Sequence, residues 1–299
     1  MKKIMAVLAG LWLLVGSLAA QTSKPGLRVF VSADMEGIWG VVHGDQTSPE
    51  SSEYGPACRW MTEDVNAVVA GLFEAGATEV VVNDAHGSQR NIIPDALDPR
   101  ASLITGSPKP LSMMQGIGES FQACLFIGYH AKAGTEAAIL DHTISGSVIY
   151  SIRINGIEMP ELGINAAIAG AFGVPVIMVS GDTACCAQAK ALLGDGTIAV
   201  PVKEGYARFA ARLFPKDAAR KALREGARDA LLRREAAKVY KLEPPYRFEV
   251  GFHTSGQAEI SMLLPGIARR DSRTAVFSTN DYIEGFKLMR AMIALGTGR

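Results

Sequence analysis

Neither charge is in excess in this chain: 30 Lys and Arg stand against 30 Asp and Glu. Neutralising a phosphate backbone needs a basic surplus, so a broad nucleic-acid-binding role is excluded. Cysteine is scarce, four in 299 residues, which is too few for a disulfide scaffold. Cys185 and Cys186 are adjacent and fit disulfide geometry poorly. No required disulfide and no cysteine-built metal site is expected. Beyond the N-terminus no apolar run is long enough to cross a membrane, and internal repeats and low-complexity tracts are absent. What is present is 48% hydrophobic and 20% charged residues, the composition of a chain that buries a core. Histidine is sparse as well, with only His43, His86, His130, His142 and His253, so each position carries information.

The first twenty residues read as an export signal. Lys2 and Lys3 precede an apolar run from Ile4 to about Val15, and Gly16, Ser17, Ala19 and Ala20 supply small residues for cleavage. A membrane anchor is the alternative, but the run is shorter than the ~20 apolar residues of a spanning helix. The expectation is a periplasmic or secreted protein without stable membrane insertion after processing.

Short apolar runs alternate with helical patterns. Strands are expected at Leu27 to Ala33, Thr78 to Val82, Ala123 to Gly128 and Val174 to Val179. A helix is expected from Cys58 to Ala75, with Met61, Val65, Val68, Val69 and Leu72 at helical spacing and Gly76 as its stop. Asn155-Gly156 between two β-rich runs reads as a hairpin, and Glu161 to Phe172 as a helix of small residues. This alternation predicts an α/β fold, a mainly parallel sheet with helices on both faces. Glu204 to Tyr240 is rich in Ala, Arg and Lys and reads as helical, with its charges as a solvated face. A strand, helix, strand and helix between Tyr246 and Leu295 suggest a smaller α+β C-terminal domain. The expected division is a signal peptide at 1–20, a catalytic α/β domain at 27–203 and the helical segment with the smaller domain at 204–299.

Ligands of open α/β sheets bind beyond the carboxyl ends of the strands. Those ends here run into Asp34-Met35-Glu36, Asn83-Asp84-Ala85-His86, Tyr129-His130 and Gly181-Asp182, with His142 and Glu161 on nearby segments. Singly, each residue has an ordinary structural reading, such as a helix cap, a turn or a hydrogen-bonded core histidine. Their joint arrival at one edge points to metal. Neutral imidazole with carboxylate suits zinc and related ions, whereas magnesium and calcium favour oxygen shells. A carboxylate shared by two ions ~3.5–4 Å apart is a recurring hydrolase arrangement, in which the ions acidify a bridging water and polarise a carbonyl. Asp84 is a candidate to orient the His86 ring, with a turn-forming role as the alternative.

The motifs Ser32-x-Asp34-x-Glu36-Gly37, Val82-Asn83-Asp84-x-His86, Gly128-Tyr129-His130-Ala131 and Glu161-Leu162-Gly163-x-Asn165-Ala166 resemble the zinc D-aminopeptidase family. Thr105-Gly106, Lys109-Pro110, Gly181-Asp182 and Gly256-Gln257-Ala258-Glu259 extend the likeness from about Leu27 to the C-terminus. The resemblance implies two Zn2+ ions per chain held by Asp34, Glu36, His86, His130 and Glu161. Asp34 would bridge, Glu36 with His86 would complete one site, and His130 with Glu161 the other. It implies His142 as the catalytic histidine, either a nucleophile or a proton shuttle and oxyanion donor. It further implies short peptides with an N-terminal D-residue as substrates, and a homo-oligomer.

Several assignments stay open on the residues alone. His43 is a candidate pocket residue, and His253 reads as structural. Asp84, Asp182 and Glu259 are candidates to hold the substrate amine. Apolar helices such as Phe286 to Leu295 are candidate contacts between copies. Two other functions remain: a di-metal hydrolase of L-peptides or other amides, and an exported peptide- or metal-binding protein without turnover.

Overall fold

The computed structural model describes residues 26–298. The expected signal segment, 1–20, lies outside the described residues. Chain order runs through β1 (Arg28–Ala33), α1 (Tyr54–Glu74), β2 (Glu79–Asp84), β3 (Ala101–Ile104), β4 (Ala123–Ile127), β5 (Ile149–Ile154) and β6 (Ile157–Glu158). It continues through α2 (Glu161–Ala171), β7 (Val176–Asp182), α3 (Thr183–Leu193), β8 (Ile198–Ala207), β9 (Ala210–Leu213) and α4 (Lys216–Leu232). It ends with β10 (Tyr246–Phe252), α5 (Ser255–Ser261), β11 (Ala268–Arg269), β12 (Thr274–Thr279) and α6 (Tyr282–Thr297).

The large sheet has the order β3-β2-β1-β4-β7-β8-β9. All neighbours pair in parallel except β9, which returns antiparallel on the edge. Strand order therefore reverses at β1 and β4, the place where an open α/β sheet leaves a crevice beyond its carboxyl ends. On one face α1 and α4 close a core through residues such as Met61, Val65, Leu72, Leu223 and Leu231. On the other face the core continues through α2 and α6 into the second sheet, with Phe126, Leu162, Phe248, Phe286 and Met289 buried. The expected α/β class is what the chain adopts.

The second sheet has the order β11-β12-β10-β5-β6, entirely antiparallel. Its hairpin turn is the expected Asn155-Gly156, and both residues have positive φ, 52° and 80°, as a type I′ turn requires. β5 pairs with β10, so the small layer draws strands from both sides of position 203. A boundary in sequence there does not follow a boundary in space.

The helix expected over Glu204 to Tyr240 is corrected. Residues 204–213 complete β8 and form β9, and the helix begins only at Lys216, behind Pro215. The Ala- and Arg-rich composition has high helix propensity. Antiparallel pairing of β8 with β9 overrides it, continuing a strand that pairs with β7 as far as Lys203 and buries Val200, Val202, Lys203 and Gly205. The apolar side of Phe286 to Leu295 is also corrected: Phe286, Met289, Met292 and Ile293 are buried within the chain and offer nothing to a second copy. No helix among the described residues is long and apolar enough to cross a membrane.

Candidate metal centre

The carboxyl end of β1 turns sharply under that of β4. The Asp34 amide donates to the Ile127 carbonyl, and the Gly37 amide to that of Gly128, both at 2.8 Å. This approach requires glycine. A Cβ on Gly37 would lie 2.0 Å from the Tyr129 carbonyl oxygen. One on Gly128, whose φ is +70°, would lie 2.3 Å from that of Asp34. The backbone thus brings the Asp34-to-Glu36 turn against Tyr129-His130, and the Ala85 amide donating to the Ala33 carbonyl brings His86 alongside.

Six side chains converge there in two groups: Asp34, Glu36 and His86, and His130, His142 and Glu161, each with ligand atoms within 4.8 Å of one another. Asp34 reaches into both. Its Oδ1 is 3.3 Å from His86 Nδ1, and its Oδ2 is 3.5 Å from His130 Nε2. Glu36 Oε2 is 3.1 Å from His86 Nδ1, and Glu161 Oε1 is 3.6 Å from His130 Nε2. The second oxygen of Glu161 is tied down by the amide of Ile144.

Each of the three histidines commits one ring nitrogen to a backbone carbonyl. His86 Nε2 faces Thr47 O at 3.1 Å, His130 Nδ1 faces Ala131 O at 3.0 Å and His142 Nδ1 faces Leu140 O at 2.8 Å. A carbonyl only accepts, so these nitrogens carry a proton, and the opposite nitrogens face the centre, those of His86 and His130 against carboxylates where either a proton or a cation can sit. The His142 ring stacks on His130 with centroids 3.9 Å apart. Its Nε2 lies 4.0 Å from Glu36 Oε1. The loop carrying it is strained: Leu140 and Ile144, on either side, have φ of 50° and 63°, and a β-branched residue is an outlier there.

Two buried atoms of this cluster, Asp34 Oδ2 and His130 Nε2, have no hydrogen-bond partner. An orphaned buried acceptor costs ~1–3 kcal/mol. Two such atoms facing one another fit a cation between them. Charge tells the same story. Burial, then the Glu36 charge, push Asp34 up to about 7. Burial alone would discharge His130, but Glu161, Glu36 and Asp34 outweigh it and raise it to about 10. His86 is likewise held well above the usual histidine range by Glu36 and Asp34 against its burial. Glu36, though buried, is held well below the carboxylate range chiefly by His86, and Glu161 is lowered by His130. His142 goes the other way, lowered by burial and by the neighbouring His130. Protons and cations compete for such atoms, and three carboxylates with three imidazoles are a donor set suited to zinc.

Other residues singled out from the sequence lie elsewhere. Asp84 does not touch His86. Its oxygens accept from the amides of Asn91 and Ile92 at 2.5 and 2.7 Å and from Asn91 Nδ2 at 2.7 Å, which fixes the loop after His86. Asp182 is buried, caps α3 through Cys185 N and accepts from Ile139 N, both at 2.7 Å, and does not line the cavity over the centre. Glu259 is exposed and pairs with Arg269. His43 is an exposed cap of a short 3-10 turn, its Nδ1 accepting from Asp45 N. His253 lies on the wall of an open cleft of about 490 Å3 that His142 also lines, along with Tyr150 and Arg208. A smaller cavity of about 240 Å3 opens directly over Asp34, Glu36, His86 and Glu161.

The sequence reading passed over Arg290, which comes from α6 to line that smaller cavity. The available signal is a guanidinium set among Met289, Met292 and Ile293 in an otherwise apolar helix turn. It also passed over Thr47, whose side of the site is a backbone carbonyl and therefore has no residue-type signature.

The profile of the D-aminopeptidase family, peptidase family M55, matches residues 27–291. A D-aminopeptidase of Bacillus subtilis is 36% identical over 275 residues, spanning 90% of this chain and 97% of that one. The solved structure of the zinc-dependent D-aminopeptidase DppA from Bacillus subtilis, described as a self-compartmentalizing protease, superposes with a TM-score of 0.89 at 31% identity. That superposition covers 91% of this chain and 99% of DppA. With the ordered strand-end motifs, the shared architecture and a family match over nearly the whole described length, this chain belongs to the M55 D-aminopeptidase family.

Proposed function

We propose that the protein is a two-zinc aminopeptidase that removes an N-terminal D-residue, such as D-alanine, from short peptides. The observation that carries the proposal is the split carboxylate of Asp34, one oxygen toward His86 and the other toward His130, with the buried Oδ2 and His130 Nε2 unsatisfied by protein. Asp34, Glu36 and His86 would hold one ion, and Asp34, His130 and Glu161 the other. When bound, such a pair supplies Lewis acidity for the peptide carbonyl and an acidified water near neutral pH.

The chain's own residues supply the rest. His142 has its Nδ1 proton fixed on Leu140 O, so Nε2 is free to accept a proton. The stacked His130 and the strained loop hold that nitrogen over the centre. His142 would receive the proton released as the nucleophile forms and return it to the departing amine, a proton-shuttle role in preference to direct attack. The small cavity suits a substrate of one or two residues, being below the ~300 Å3 at which pockets for drug-sized ligands begin.

Export with removal of residues 1–20 remains part of the proposal, as does assembly into a homo-oligomer. Tyr206 and Phe209, 60% and 52% exposed where β8 turns into β9, are the surface features that support a contact between copies. N-terminal sequencing of the periplasmic protein and light scattering of the purified one test these two points.

The deciding experiment is metal analysis of the purified protein with hydrolysis of D-Ala-D-Ala, D-Ala-Gly and L-Ala-L-Ala before and after chelation. Two equivalents of zinc and chelator-sensitive cleavage confined to the D-peptides are expected. Equal cleavage of the L-peptide would favour a general di-metal amidase, and metal binding without cleavage a binding protein.

A further inference from the structure

The small cavity has one guanidinium among its walls, and nothing in the mechanism above uses it. Arg290 projects from α6 into the space enclosed by Asp34, Glu36, His86, His142 and Glu161. Other buried or half-buried basic groups near the centre are engaged. Lys203 Nζ donates to the carbonyls of Glu36, Ile38 and Val41, and Lys109 Nζ to Asn83 Oδ1 and Asp84 O. Arg208 pairs with Asp141. Arg290 forms no hydrogen bond and no ion pair among the described residues. Its surroundings strip water from it, which lowers its pKa, and only the charge of Glu161 offsets this at longer range. A guanidinium has five donors in a planar fork, and leaving them undirected in a partly dry pocket is costly unless a ligand takes them.

We propose that Arg290 binds the free C-terminal carboxylate of the peptide substrate, so that the enzyme selects very short peptides, dipeptides above all, over amides and longer chains. The inference rests on the aminopeptidase reading of the same centre and adds the recognition of the substrate's far end. In a dipeptide the carboxylate lies one residue beyond the scissile carbonyl, so both groups fit a cavity of about 240 Å3. A carboxylate matches the guanidinium fork with two parallel N–H···O bonds. Glu161, committed to Ile144 N and facing His130, is not placed to take that role from the substrate. The entry of Arg290 from α6 makes the small layer the specificity wall of a centre whose other groups come mainly from the large sheet.

The test uses the zinc-loaded protein and two substrates that differ only at the carboxyl end, D-Ala-D-Ala and D-Ala-D-Ala amide. The wild type is expected to favour the free acid by about tenfold or more in kcat/KM. In Arg290→Gln that preference is expected to collapse to near unity, with the loss carried by KM for the free acid. Arg290→Lys should restore part of it, since an ammonium keeps the charge but lacks the fork. A second reading needs no turnover: calorimetric binding of an uncleavable D-Ala-D-Ala analogue with a CH2–NH link should weaken about tenfold or more in Arg290→Gln, and binding of its C-terminal amide much less. Unchanged preference in Arg290→Gln would overturn the proposal. So would equal losses on both substrates accompanied by lost zinc or a lower Tm, because these mark Arg290 as a structural counter-charge for Glu161. If the wild type cleaves neither substrate, the aminopeptidase reading itself fails, and the calorimetric preference for the free acid still decides the role of Arg290.

Discussion

Two buried charged clusters lie side by side beneath the same loop, and they are built on opposite rules. Around Lys203 every charge is satisfied by protein. Its ammonium donates to three carbonyls of the turn after β1, Asp182 accepts from two amides, and Asp64 accepts from Trp39 N at 2.9 Å with Arg220 at 3.4 Å. In the candidate metal centre carboxylates crowd one another and two buried atoms have no partner. Burial by itself does not separate structural from functional charge. The count of satisfied lone pairs does, because a group kept for stability is hydrogen-bonded and a group kept for chemistry holds bonding capacity in reserve.

Removing a charge should therefore have opposite consequences in the two places. The largest effect is expected for Asp34→Asn. It should lower kcat/KM by about ten-thousandfold, roughly 5 kcal/mol of transition-state stabilisation, and abolish zinc binding while leaving the metal-free protein at least as stable as the wild type. Zinc analysis and thermal unfolding in chelator check both halves. A large fall in metal-free Tm would dissolve the distinction between the clusters. His142→Gln should retain zinc and lower kcat by about 10²- to 10⁴-fold, since an amide can donate but cannot shuttle a proton. Near-normal kcat in that variant would remove His142 from proton transfer.

Lys203→Met is expected to act mainly on folding, costing about 3 kcal/mol or more in urea unfolding, because three carbonyls lose their donor and Asp182 and Asp64 lose a compensating charge. Asp64 sharpens the comparison through pH. Burial raises its pKa from 3.8 to about 6 against the pull of Trp39 N and Arg220. The folded state then holds the proton more tightly than the unfolded one. The Asp64 contribution to stability is full below pH ~4 and is lost as pH rises through about 6, by up to about 3 kcal/mol for a shift of this size. Asp64→Asn should flatten that decline, with urea midpoints at pH 4 and pH 7 closer together than in the wild type. An unchanged pH dependence would show that Asp64 does not set it.

The edge of the large sheet was legible in the sequence because it is local. Each of Asp34, Glu36, His86 and His130 follows directly on an apolar strand, and parallel pairing carries strand ends to one side. What depended on strand pairing was misread. Residues 204–213 have helix-forming composition, and their strand state is set by the antiparallel pairing of β8 with β9, which extends the stretch of β8 that pairs with β7 as far as Lys203. Asp84 has the spacing of a partner to His86, yet its oxygens accept from Asn91 and Ile92 in the loop beyond. Arg290 could not be placed at all from sequence, since it reaches the centre only through the docking of α6 beneath the small sheet.

That docking has a kinetic consequence. Asp34, Glu36, His86 and His130 belong to the large sheet, whereas Glu161 and His142 flank the hairpin that the small sheet has captured. Ions held between them would act as rivets through the seam of the two layers. Their exchange with solution would then be timed by the breathing of that seam, and a molecule that loses them would loosen first where its halves meet.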